Sequence, residues 1–162
     1  MHIKLIIEDV KQLTVIHQQL YQQSLKKMEA IKSNDTEQLQ KMIISEQKLA
    51  RQLDKIENQR IQNVSKFAKE QQIKNSETAL SDILQIVADV NDKQELEQAA
   101  ISLSESVLHL REQEQLNQEL IRQSLKFVDM SLEMLQPSIS SMNYGNHQHS
   151  ASSKKSVFDS KA

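Results

Sequence analysis

The chain has 162 residues, among which Pro137 is the only proline and Gly145 the only glycine. Its 20 basic and 22 acidic residues give a formal net charge of −2, and no long block of one sign offers a stripe for phosphates, so nucleic acid is not a predicted partner. Cysteine is absent, which excludes disulfides, thiolate catalysis and thiolate metal sites and suits a reducing cytosol.

The first 136 residues contain neither of the strong helix breakers, which would destabilise a helix interior by about 1 kcal/mol for glycine and about 3 kcal/mol for proline. We therefore predict an all-α fold: an elongated antiparallel helical bundle or coiled coil of three long helices plus one short helix. Residues 1–136 form the predicted bundle domain. Residues 1–10 contain charged side chains and no small-residue cleavage site follows, so no secretory signal is predicted, and no apolar run is long enough for membrane insertion.

The first predicted helix runs from about Ile3 to Ile31. Apolar residues follow a three-four spacing, which is typical of a helix buried along one side, and His17, Ser24 and Lys27 interrupt that line. We interpret His17 as a partly covered seam residue rather than a pH sensor. A turn is predicted from Ser33 to Thr36, where each side chain can accept a hydrogen bond from a new helix. The apolar line comprises Ile3, Ile6, Val10, Leu13, Leu20 and Ile31, and Ile16, Leu25 and Met28 widen it.

The second predicted helix starts near Thr36, and at 1.5 Å per residue its roughly 36 residues would extend about 54 Å. A short third segment, apolar on more than one side, follows from Leu80 to Val90, with Ser76 or Thr78 as its cap. Asn91 and Asp92 are predicted to close it and to cap the last helix. The heptad of the second helix comprises Leu39, Met42, Glu46, Leu49, Leu53, Ile56, Arg60, Asn63 and Phe67.

The fourth predicted helix runs from about Lys93 to Gln136 and carries one main apolar row along its length, which ends with Ile121, Ser124, Val128, Ser131 and Leu135. From Leu116 onward a second row appears beside the first, with Leu125 and Leu132 outside both. A helix with two apolar rows needs two partner surfaces, so something must cover the second one. That second row comprises Leu116, Leu120, Gln123, Phe127, Met130 and Met134.

Residues 137–162 are predicted to be a disordered, serine-rich tail, because their scattered apolar groups cannot offset the entropy of ordering them. His147 and His149 in this tail could form a metal-binding pair, but without a nearby acidic ligand we interpret them as solvated. We find no catalytic motif and predict no catalytic residue, no metal and no cofactor.

Four polar residues occupy positions in the heptad rows where leucine would pack better: Glu46, Arg60, Glu114 and Asn117. They could form a polar recognition site. For Glu46 and Arg60 we favour the alternative that they fix helix register by pairing with polar groups on a neighbouring helix.

The order of these parts resembles the FlgN-type flagellar export chaperones: a long helix, an Asn/Asp turn, a second helix with Glu46 early and Arg60 late, a short irregular piece and a long final helix. The final helix contains an Asn-x-x-Leu-Ile stretch at Asn117. The ending Phe158-Asp159-Ser160-Lys161-Ala162 and the Leu125-Lys126-Phe127 stretch are similar to the Bacillus-type members.

The resemblance implies a cytoplasmic, non-enzymatic chaperone domain over residues 1–136. Its clients would be the first and third hook-associated proteins of the hook-filament junction, bound before their export through the flagellar type III secretion apparatus. In the family the client site lies toward the C-terminal helix, and the site predicted here comprises Leu116, Leu120, Ile121, Leu125, Phe127, Val128, Met130 and Met134.

Three alternatives stay open at this point. Components of the export gate or its ATPase could be further partners, and a weak homodimer could form. The chain could also be a structural coiled-coil scaffold or a homodimerising adaptor, in which the second apolar row is a dimer seam and no client exists.

Overall fold

The structure is a computed structural model that describes residues 2–73 and 79–158; for residues 137–158 it describes the backbone alone. Every regular element in this part of the chain is a helix. Four helices follow in chain order: α1 His2–Lys32, α2 Thr36–Glu70, α3 Leu80–Ile86 and α4 Val90–Phe158. The predicted all-α class, with three long helices and one short one, is confirmed. The predicted caps Ser76 and Thr78 lie outside the described residues.

Two left-handed residues end α1 and α2 in a chain body that has no glycine. Asn34 has a φ of 54° and Gln72 a φ of 59°. The N–H of the residue that follows each of them donates a hydrogen bond to a carbonyl five residues earlier. The Asp35 N–H donates to the Ala30 carbonyl and the Ile73 N–H donates to the Ala68 carbonyl, both at 2.9 Å. Both ends are Schellman motifs, in which these bonds satisfy carbonyls that the helix leaves free.

Asp35 begins α2 as predicted for this turn, because its Oδ1 accepts a hydrogen bond of 3.0 Å from the Gln38 N–H. We expect Asp35→Ala to lower the free energy of unfolding by about 1 kcal/mol, since the N–H loses its acceptor. Urea denaturation followed by circular dichroism measures the change. Asp35→Asn keeps an acceptor and should stay within a few tenths of a kcal/mol of the native value; an equal loss in both variants would contradict the capping role.

The prediction that Asn91 and Asp92 cap α4 is wrong. The helix begins at Val90, and the capping acceptor is Asp89, whose Oδ1 accepts from the Asp92 N–H at 2.9 Å. Asn91 and Asp92 therefore lie in the first turn of α4. An acidic side chain there is favourable, because the positive end of the helix dipole lies at the N-terminus.

The chain divides into two compact units, Met1–Leu120 and Ile121–Ala162. The predicted boundary between a bundle domain at 1–136 and a tail at 137–162 falls inside the second unit. That boundary stays a prediction. The fourth helix does not end near Gln136 as predicted, because the backbone of α4 continues to Phe158. The side chains of residues 137–158 and the whole of 159–162 lie outside the described residues.

The core of the first unit lies where the start of α1 meets the end of α2, α3 and the start of α4. The turn at 33–35 makes α1 and α2 antiparallel, so the start of α1 packs against the end of α2. Within the first unit α4 runs parallel to α1, since Lys11 pairs with Glu95 and Ser24 with Asn117. Ile6, Val10, Ile83 and Leu96 are fully buried in it. Burial of such side chains supplies about 1.5–3 kcal/mol each, which explains why α3 stays attached despite having only seven residues. The buried cluster comprises Ile3, Ile6, Ile7, Val10, Val64, Phe67, Ile83, Leu96 and Ala99.

Candidate functional site

The second unit exposes large apolar side chains on almost every turn of its helix between residues 121 and 135. Phe127 is 72 % exposed and Met134 is 79 % exposed, values more usual for lysine than for an aromatic or a methionine. Large contiguous apolar surface is uncommon on the outside of globular proteins, so these residues are the candidate site. The exposed apolar side chains are Ile121, Leu125, Phe127, Val128, Met130, Leu132, Met134 and Leu135.

At 100° per residue these side chains fall into two groups on different sides of the helix. The first group, which we call the leucine face, follows an unbroken four-three spacing. The second group, the methionine face, lies about 145° away around the helix. The leucine face comprises Ile121, Leu125, Val128, Leu132 and Leu135, and the methionine face comprises Phe127, Met130 and Met134.

A charged band occupies the remaining side of this helix segment. Arg122, Lys126, Asp129 and Glu133 recur there at three-four spacing, with both signs represented. Mixed charges keep this side in water without favouring a partner of one sign. The helix segment therefore offers apolar contact on two sides and a solvated third side.

Six of the eight predicted site residues lie on these two faces. The other two, Leu116 and Leu120, belong to the first unit, where Leu116 is exposed and Leu120 is half-buried. The predicted set omitted Leu132 and Leu135, which complete the leucine face. Their signal was present in the sequence as the continuous four-three spacing that starts at Ile121. Whether these residues bind a client stays a prediction.

The polar residues on the heptad rows of the first unit are paired with one another. The Lys27 Nζ of α1 donates to Glu46 Oε1 of α2 at 2.7 Å and to Glu114 of α4 at 2.9 and 3.0 Å. Ser24 Oγ adds a bond of 2.6 Å to Glu114 Oε1. Burial alone would lower the pKa of Lys27, but the hydrogen bonds to Glu46 and Glu114 outweigh it and hold that pKa above its ordinary 10.5.

Asn117 makes a second link between α1 and α4, one turn further along. Its Nδ2 donates to the Ser24 carbonyl and to Ser24 Oγ, both at 2.9 Å, and its Oδ1 accepts from Gln113 Nε2 at 3.1 Å. The side chain is 1 % exposed, so no ligand can reach it. With the Lys27 cluster it fixes the register of the three long helices, which favours the register role over a recognition site.

The prediction that Glu46 pairs across helices is confirmed, whereas the same prediction for Arg60 is wrong. Arg60 donates to Glu57 within α2, from Nε at 2.8 Å and from Nη2 at 2.5 Å. This bidentate pair lowers the pKa of Glu57, because the hydrogen bonds and charge of Arg60 favour the carboxylate. Glu57 lies one turn before Arg60 on the same helix, so the pair forms without a neighbouring helix.

Two of the histidines, His17 and His109, each make a contact within the first unit. His17 is half-buried, as predicted, and its Nδ1 lies 2.8 Å from the Leu13 carbonyl oxygen. The His109 ring lies 6.0 Å from the ring of Tyr21. Among the described side chains, those of residues 2–73 and 79–136, no three histidine or acidic groups lie close enough together to hold a metal ion. The side chains of His147 and His149 lie outside the described residues.

The helices of the described part include none long and apolar enough to cross a membrane. A helical unit joined to a helix with two exposed apolar faces belongs to the class of small all-helical proteins suited to binding other helices. The family described as FlgN protein matches residues 1–152, and the chain belongs to this family of flagellar export chaperones. It is also similar to the Bacillus subtilis (strain 168) protein named "Uncharacterized protein YvyG", with 33 % identity over 165 residues covering 100 % of both chains. No solved structure matches the chain.

Proposed function

We propose that the protein is a cytoplasmic chaperone for flagellar hook-filament junction proteins, the first and third hook-associated proteins. It binds their C-terminal helical regions, prevents premature assembly and aids their delivery to the flagellar type III export apparatus. Components of the export gate or its ATPase are secondary partners in this proposal. Nucleic acid, membrane insertion and catalysis have no part in it.

The observation that supports this proposal best is the apolar surface of residues 121–135, which no other described segment of the second unit covers. Proteins that assemble through amphipathic helices expose the same apolar stripe that would dock here, so a chaperone that covers it blocks assembly. A standard interface buries about 800 Å² per partner. Phe127 is the expected anchor, since aromatic side chains dominate the energy of such contacts.

Calorimetry with the purified first hook-associated protein tests the proposal. We expect Phe127→Ala combined with Met134→Ala to weaken binding at least tenfold, because both side chains would leave water in the complex. Helix content should not change, since the two side chains are exposed in the free protein.

Ile44→Ala provides the matched control. Ile44 lies on α2 and is 68 % exposed, close to the value for Phe127, but it lies outside the two faces. Its removal should leave affinity unchanged. An equal affinity in all three proteins would contradict the proposed site, and no binding by the native protein would contradict the function itself.

A homodimerising scaffold is the competing function, because the leucine face has the spacing of a coiled-coil seam. Sedimentation distinguishes the two. A client chaperone stays monomeric at micromolar concentration and forms a mixed complex, whereas a scaffold sediments as a dimer that does not bind the client.

A further inference from the structure

The apolar surface of residues 121–135 covers more of the helix circumference than one partner helix can bury. Measured around the helix axis at 100° per residue, the surface extends from Met130 across the rest of the methionine face and the leucine face to Leu125, an angle of about 220°. A helix that packs against one surface needs an apolar stripe only a little over 100° wide. The four-three spacing on the leucine face is that of helix–helix packing, so the expected contacts are helices rather than loops.

The side of the helix between the leucine face and the methionine face can be buried in a complex. Ser131 lies there, and Ser124 lies one heptad before it on the same line. The Ser131 hydroxyl donates to the Phe127 carbonyl at 2.9 Å. Because that hydroxyl is already bonded within its own helix, burying it leaves no unpaired polar group. Small side chains on this line also let neighbouring helices approach closely.

A second copy of the chain fits the leucine face poorly. The face is about two heptads long, whereas coiled coils are recognised by three to four or more. In heptad register Leu125 and Leu132 fall at a, with Ile121, Val128 and Leu135 at d, so two of the three d residues are β-branched. Parallel dimers prefer the reverse arrangement, and β-branched residues at d favour assemblies of more than two helices.

Resting on the proposed function, we infer that the client contributes two amphipathic helices rather than one. One packs on the leucine face and the other on the methionine face, so that residues 121–135 become the central helix of a three-helix assembly. The recognised feature of the client is then a pair of segments, one with an apolar stripe that matches the 15 residues of the leucine face and one with a shorter stripe that matches residues 127–134 of the methionine face. The charged band of Arg122, Lys126, Asp129 and Glu133 stays in water.

Site-specific photocrosslinking in the full-length protein tests this. Benzoylphenylalanine replaces Leu132 in one variant and Met134 in another; the two positions are neighbours along the helix but lie on different faces. Each variant is mixed with the purified first hook-associated protein, irradiated and mapped by mass spectrometry. The control is Glu133→benzoylphenylalanine on the charged band, which should crosslink weakly.

We expect the two positions to crosslink to two non-overlapping segments of one client molecule. Crosslinks from both positions to the same short segment would overturn the inference in favour of a single helix. Crosslinks to another copy of this chain would overturn it in favour of a homo-oligomer.

Affinity measurements provide the second readout. Leu125→Ala with Leu132→Ala, and separately Met130→Ala with Met134→Ala, should each weaken binding of the intact client at least tenfold. When the client segment mapped to the methionine face is deleted, only the leucine-face pair should still matter. If the methionine-face pair alters affinity for that truncated client, the two-helix arrangement is wrong. The proposed function fails differently, through absence of binding by the unsubstituted protein.

Discussion

Lys27→Met should lower the free energy of unfolding by about 2–4 kcal/mol. The Lys27 side chain is 11 % exposed, and it is the cation between Glu46 and Glu114, whose side chains are 23 % and 35 % exposed. Methionine keeps the apolar stem but leaves two carboxylates facing each other without a counter-charge. Removing one partner of a buried pair costs about 3–5 kcal/mol, and the partial exposure of these carboxylates places our value somewhat lower.

Urea denaturation of Lys27→Met is best compared with Lys41→Met. Lys41 pairs with Glu37 at 2.8 Å on the surface of α2, with side chains 64 % and 80 % exposed. Such exposed i,i+4 pairs contribute about 0.3–0.5 kcal/mol. A loss no larger in Lys27→Met than in Lys41→Met would show that the cluster adds no stability.

A pH series adds a second check on the cluster. The folded state raises the pKa of Lys27, so its stabilising contribution is fully present below the ordinary value of 10.5 and is lost as pH rises through the raised pKa. The difference in the free energy of unfolding between the native protein and Lys27→Met should therefore stay nearly constant across neutral pH. It should shrink only in strong alkali, where Lys27 loses its charge.

The helices themselves could be predicted because the chain body lacks both breakers. Periodicity identified α1 from Ile3 and α2 from Thr36 to within a residue or two of their observed ends. The start of α4 was less predictable, since Asp89, Asn91 and Asp92 have similar capping propensities. Which of them caps depends on where α3 stops, and packing against the core decides that.

The polar pairings required knowledge of how the helices surround one another. Lys27 appeared in the sequence only as an interruption of an apolar line, and Glu46 and Glu114 as separate exceptions on two others. The spacing within one helix does not say which exceptions face each other. For Arg60 a partner on a neighbouring helix was expected, but Glu57, three residues earlier on the same helix, accepts its hydrogen bonds instead.

The exposed faces were partly predictable for the same reason. Two apolar rows after Leu116 indicated more apolar surface than one neighbour covers. Leu132 fell outside both rows, because the main row was drawn through Ser124 and Ser131 rather than through Leu125 and Leu132. The unbroken four-three spacing from Ile121 was present in the sequence, but the accessibility of the individual side chains was needed to show that this face is exposed.

Asp9 was missed as a core residue, although it lies three residues after Ile6 and four before Leu13 on the apolar line of α1. It is 1 % exposed. Its Oδ1 accepts from Gln59 Nε2 at 2.8 Å and its Oδ2 from Asn63 Nδ2 at 2.6 Å, so one carboxylate joins α1 to two turns of α2. The hydrogen bonds to Glu57 raise the pKa of Arg60 most, and the nearby charge of Asp9 adds to that rise.

Asp9→Leu should lower the free energy of unfolding by about 2–3 kcal/mol, because the buried Asn63 amide loses its acceptor and cannot reach water. Asp9→Leu combined with Asn63→Leu removes both polar groups and should recover at least about 1 kcal/mol of that loss. Denaturant midpoints for the native protein, the two single variants and the double variant give the coupling directly. Losses that simply add would mean that the two side chains act independently, and the carboxylate would then have no role in joining α1 to α2.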